Sequence, residues 1–108
     1  MLIKDPRPVL SLIIQGKNFE GLIDTGADVS IISSQQWPQD WKKEKSPLML
    51  TGLGSIADVW KSTHPLRCQF HNGRSVSVAF YSVNISITMW GRDLLSLLEA
   101  FVTIPPEN

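Results

Sequence analysis

Residues 21–33 read GLIDTGADVSIIS, and the fold turns on how the acid in the middle is explained. Leu22, Ile23, Val29, Ile31 and Ile32 have the apolar, largely β-branched character of strand. Asp24 interrupts them, directly after Leu22-Ile23 and directly before Thr25-Gly26. A carboxylate beside buried strand residues must be hydrogen-bonded or share a proton. Thr25 and Gly26 offer a turn whose backbone N–H groups can face that carboxylate. The small Ala27 lets the chain pass close to another segment, and Asp28 adds a second acid four residues on from Asp24.

Outward from this stretch the pattern is β almost throughout. Val9–Ile14 and Phe19–Ile23 read as strands joined through Gln15-Gly16-Lys17-Asn18, and Val29–Ile32 reads as a third. Ser33–Pro47 is looser, and its charge cluster Lys42-Lys43-Glu44-Lys45 reads as a solvated loop. Leu48–Val59 has strand-like ends around Gly52-Leu53-Gly54-Ser55, a hairpin with an apolar Leu53 at a tip where polar residues are the rule. Leu66–Phe70 and Val76–Tyr81 flank His71-Asn72-Gly73-Arg74, and Asn-Gly between alternating segments marks a hairpin. Ile85–Trp90 reads as another short strand. Only Arg92–Ala100 looks helical, with Leu94, Leu95, Leu97 and Leu98 as a core-facing stripe. Phe101–Ile104 returns to strand before Pro105-Pro106.

The totals fit one globular domain over residues 1–108, with 43% hydrophobic and 19% charged residues. Ten acidic and ten basic side chains give zero formal net charge, which argues against a general electrostatic binder of nucleic acid or membrane. The four tryptophans then read as packing residues rather than a base-stacking platform. Cys68 is the single cysteine, so no intrachain disulfide forms, and it reads as a packing residue. His64 and His71 have no cysteine or carboxylate at metal-ligand spacing, and no metal or other cofactor is expected. No apolar run reaches the ~18–20 residues of a membrane span, and no cleavable signal pattern opens the chain. Asn84-Ile85-Ser86 matches a glycosylation sequon and reads as unused in such a chain.

One chemistry suits a carboxylate like Asp24: two aspartates sharing one proton. The ionised member takes a proton from water while the protonated member donates to the substrate carbonyl oxygen, so a peptide bond is hydrolysed without metal or covalent intermediate. Asp-Thr-Gly occurs once here, so the second aspartate must come from elsewhere. A two-fold homodimer supplies it, because a residue near the axis meets its own copy.

Leu22-Ile23-Asp24-Thr25-Gly26-Ala27-Asp28 resembles the active-site segment of retropepsins, the retroviral aspartic proteases. Arg7-Pro8, Gly52-Leu53-Gly54 and Trp90-Gly91-Arg92-Asp93-Leu94-Leu95 resemble that family's N-terminal pair, flap tip and helix-opening segment, in the right order over residues 5–104. Trp37-Pro38, Trp41 and Trp90 look most like betaretroviral and endogenous-retrovirus proteases.

The resemblance implies an all-β, closed barrel-type subunit with a flap hairpin at about 48–59 and a C-terminal helix at about 92–99. Terminal strands at about 1–4 and 101–104 (Met1–Lys4 with Phe101, Val102, Thr103 and Ile104) would interleave in a two-fold dimer. Asp24 would be catalytic, one per subunit, with Thr25 forming a cradle across the axis and Gly26 admitting the substrate backbone. Ala27 and Asp28 would line the cleft, with Arg7 and Arg92 as partners of Asp28. Gly52, Leu53, Gly54 and Ile56 would lie on the flap, and Ile87 and Met89 would wall pockets beside the scissile bond. The implied activity is cleavage of viral Gag-Pol-type polyproteins, bound in extended form, in a virion or host cytoplasm. Two alternatives stay open: a silent dimerisation or peptide-binding module of an endogenous element, and a cellular protease domain of the same type. Ser55, Ala57 and the proline-free Tyr81–Ser86 loop depart from relatives.

Overall fold

The computed structural model describes residues 8–50 and 57–102. The chain opens with β1 (Val9–Ile14) and β2 (Lys17–Ile23), paired antiparallel from Val9↔Leu22 to Ile14↔Lys17. Their turn is only Gln15-Gly16, tighter than the four residues expected from sequence. Both residues have positive φ, 52° and 82°, the backbone twist that two-residue hairpins require. There follow β3 (Ile31–Ser33), β4 (Lys43–Leu50), β5 (Ala57–Ser62), β6 (Leu66–Gln69), β7 (Ser75–Val78), β8 (Tyr81–Val83), β9 (Met89–Trp90) and α1 (Arg92–Val102).

The strands form one nine-stranded sheet in the order β4-β5-β8-β3-β9-β2-β1-β6-β7. Cys68 near one end of this order shares a core with Ile32 in its middle, so the sheet curls around that core. Leu12, Ile14, Phe19, Phe80, Trp90 and Leu94 fill it, and Phe80 meets Trp90 edge-on at 6.2 Å. Ile31, Val59 and Val83 form a second, smaller cluster with Met89 packed against it.

Lys43, Glu44 and Lys45 belong to strand β4 rather than to a loop. Strand β4 ends the sheet order, and charged side chains suit an edge strand. The Lys43 ammonium sits over two rings, 5.9 Å from the Trp37 centroid and 5.6 Å from that of Trp60. The expected strand Val76–Tyr81 is two strands: β7 joins β6, and β8 joins β3 and β5, with buried Phe80 between them. Strand Ile85–Trp90 shrinks to Met89–Trp90, and Val29–Ile32 becomes Ile31–Ser33. The helix runs on to Val102, so Phe101 and Val102 are helical, not part of a terminal strand. Leu97-Leu98-Glu99-Ala100 are good helix formers, and no breaker intervenes before Pro105.

Cys68 is fully buried, and burial pushes its thiol from the ordinary 9.0 up to about 12. The folded protein holds this proton above the pH at which the unfolded chain releases it. The buried thiol therefore favours the fold fully below about 9 and progressively less as the pH climbs towards about 12. Native protein should resist thiol alkylation at about pH 8 and react at once when unfolded by denaturant. Equal labelling rates in the two states would contradict this placement.

Candidate active site

Asp24 is positioned by an insertion in the sheet. Strand β9 lies between β2 and β3, parallel to the first (Leu22↔Met89, Ile23↔Trp90) and antiparallel to the second (Ile31↔Met89). The chain leaving β2 must therefore loop past β9 to reach β3, and Asp24–Ser30 is that loop. The register sets Val9, Leu22, Met89, Ile31 and Tyr81 in one cross-strand row. Alternation along β2 puts Asp24, two residues beyond Leu22, on the same face, opposite the one that carries Ile23 and Trp90 to the main core.

The turn holds the carboxylate as the sequence suggested. The Asp24 N–H donates to Trp90 O at 2.9 Å, continuing the β2–β9 pairing for one residue. Gly26 N–H donates to Asp24 Oδ1 at 3.0 Å, and Ala27 N–H donates to Asp24 O at 3.1 Å. A Cβ on Gly26 would stand 3.4 Å from Asp24 Oδ1, in van der Waals contact with the carboxylate. Asp24 and Ala27 are half-buried, whereas Thr25, Gly26 and Asp28 are exposed.

Beneath the loop lies a set of contacts that sequence reasoning did not assign. Ser30 is fully buried, and its N–H and hydroxyl both donate to the Asp93 carboxylate, at 3.1 and 2.7 Å. Asp93 Oδ1 also accepts from Leu94 N–H at 2.7 Å, as an acid in the first turn of a helix does. Ser30 Oγ accepts from the buried Gly91 N–H at 2.9 Å. Arg92 N–H donates to Ala27 O at 2.8 Å, and Asp93 N–H to Asp28 O at 3.2 Å. Ala27, Asp28 and Ser30 are thus fastened to residues 91–93. Asp93 was visible as an acid opening a helix, but Ser30 looked like any polar residue in a strand.

Arg92 Nη2 donates to Asp28 Oδ1, joining two of the residues named from the sequence. Their side chains are 59% and 80% exposed, so the pair orients Asp28 and adds little stability. Ile87 is 45% exposed and Met89 is half-buried. Arg7, Gly52, Leu53, Gly54, Ile56, Thr103 and Ile104 lie outside the described residues. An open hollow of about 510 Å³, lined by Lys17, Asn18, Phe19, Glu20, Gln36 and Pro38, does not include Asp24. His64 and His71 are exposed.

Residues 4–103 match the sequence model of the family described as "Retroviral aspartyl protease". The chain belongs to that family. Among its relatives is the Pro protein of human endogenous retrovirus group K member 21, 45% identical over 103 residues and 95% of this chain. The Pro protein of group K member 8 is 44% identical over the same length. The chain spans 66% of the length of these human relatives. Among solved structures, "EIAV protease complexed with the inhibitor HBY-793" superposes with a TM-score of 0.73. That match covers 91% of this chain and 93% of the other at 22% identity, and it shows a shared fold.

Proposed function

We propose that this chain is one half of an aspartic endopeptidase that processes viral polyproteins and is itself released from one, in the virion or host cytoplasm. The observation that carries this reading is Asp24, half-buried and held by its own Asp-Thr-Gly turn. Family membership supports the chemistry, and the human relatives named as Pro proteins support the setting.

In this reading two chains meet about a two-fold axis that brings the Asp24 carboxylates together. Close carboxylates cannot both ionise readily, so the pair shares one proton and titrates as a unit. The ionised aspartate takes a proton from water as the oxygen attacks the carbonyl carbon. The other donates its proton to the carbonyl oxygen, giving a tetrahedral diol. Protonation of the amide nitrogen then releases the two products. Thr25 steadies the pair from below, and Gly26 leaves room for substrate main chain. Ala27 and Asp28 line the cleft, with Arg92 orienting Asp28. Gly52, Leu53, Gly54 and Ile56 cover the substrate, Ile87 and Met89 wall the pockets, and Arg7, Thr103 and Ile104 stand at the subunit contact. An extended peptide lying between cleft floor and flap presents alternate side chains to opposite pockets.

Assembly and activity should then be one transition. Below the dimer dissociation constant, tenfold dilution should cut activity per chain by about tenfold, in step with loss of dimer by sedimentation. Activity should yield to a statine-type mimic and ignore chelators and serine or thiol reagents. Constant activity per chain across a range in which the protein is monomeric would overturn the shared site.

A further inference from the structure

Thr88 stands between the two residues assigned to the pocket wall, yet it points elsewhere. Ile87 is 45% exposed, whereas Thr88 is 2% exposed. A buried hydroxyl must find partners within the protein. Thr88 Oγ1 accepts from Ser33 N–H at 3.0 Å and donates to Gln36 Oε1. The Thr88 carbonyl accepts from Leu22 N–H at 2.9 Å, two residues before Asp24. One residue therefore touches the strand that leads into the acid, the end of β3, and the loop that follows it.

The stretch before β9 has little strand pairing to hold it. Ile85 N–H turns back to Val83 O at 2.8 Å, and Ile85 O accepts from the Ser33 hydroxyl at 2.5 Å. Apart from the single backbone bond from Leu22 N–H to Thr88 O, the position of Ile87 is thus fixed by side-chain hydroxyls at Ser33 and Thr88. A valine at 88 would fill the same space but leave Ser33 N–H buried without an acceptor, and the segment must shift to let it reach another.

We infer that Thr88 is a specificity-positioning residue. Through Ser33 N–H and Gln36 Oε1, its hydroxyl sets how far Ile87 reaches over the cleft, and so which side-chain sizes beside the scissile bond are accepted. The inference rests on the peptidase reading above. A fixed apolar wall discriminates a single methylene by about tenfold or more, so a small displacement of that wall alters the ranking of substrates.

The test compares kcat/KM for two peptides that differ only by norvaline or norleucine next to the scissile bond. Thr88→Val should change the ratio of the two by about fivefold or more, and Thr88→Ser, which keeps the hydroxyl, should stay within about twofold of the starting ratio. Gln36→Leu, at an exposed position, should move the ratio the same way by less. Equal loss on both peptides in Thr88→Val, or Thr88→Ser behaving like it, would show that Thr88 serves the fold alone. If Thr88→Val does not fold, Gln36→Leu decides, and an unchanged ratio there overturns the inference. A dimeric wild-type chain that cleaves neither these peptides nor a broad peptide library overturns the peptidase reading itself.

Discussion

Asp24→Asn should lower kcat by about a thousandfold or more while fold and dimer persist, because the substitution removes proton transfer and little else. Asparagine keeps an Oδ1 that can still accept the Gly26 N–H, now 3.0 Å from the carboxylate oxygen. The turn therefore survives. What an amide cannot do is share a proton with its copy across the axis or take one from water. A homodimer of this variant has neither base nor acid. Circular dichroism and sedimentation should match the wild type, and a peptide-like inhibitor should still bind, though more weakly. Turnover within about tenfold of the wild type would remove Asp24 from the chemistry. Loss of the dimer would instead show that the pair holds the subunits together.

The elements easiest to read in the sequence were those that carry their own local signal. Val9–Ile14 is legible because its β-branched run is closed by a glycine turn, and the observed strand has those bounds. Asp24 is legible because an acid between strand residues has few justifications. Where the reading slipped, a residue's role is set by a partner far along the chain. Lys43–Lys45 look like loop until β5 lies beside them and Trp37 and Trp60 flank the Lys43 ammonium. Phe80 looks like the middle of one strand, because nothing local says that its two sides join different neighbours. Ser30 and Thr88 are the sharpest cases. Each is a small hydroxyl residue in an apolar run, and each matters through bonds to residues more than fifty positions away. Hydrophobic periodicity does not register such bonds.

Gly91→Ala tests the fastening beneath Asp24, and two effects act in the same direction. The Gly91 carbonyl accepts the first bonds of α1, from Leu94 and Leu95 N–H, so Gly91 stands at the helix N-cap, where glycine is preferred to alanine. Packing adds a larger penalty. A Cβ at Gly91 would lie 2.6 Å from the carbonyl carbon of Val29 and 2.9 Å from Ala27 O. Both are backbone atoms, so no rotamer change makes room. Relief requires moving residues 27–30 away from residues 91–93, which breaks the bonds from Arg92 N–H to Ala27 O and from Gly91 N–H to Ser30 Oγ. Overpacking and the lost hydrogen bonds together should cost about 3–5 kcal/mol. That is a large share of what a domain of this size has, and thermal unfolding should fall by about 15 °C or more. Gly16→Ala is the control, since Gly16 has a φ of 82° and nothing within 4 Å of an added Cβ. It should lose only about 1 kcal/mol, from backbone strain alone. Because Ala27 N–H holds Asp24 O, the fraction of Gly91→Ala that folds should also cleave poorly, and Gly16→Ala should not. A Gly91→Ala protein as stable and as active as the wild type would mean that the loop bearing Asp24 does not depend on its close approach to the start of α1.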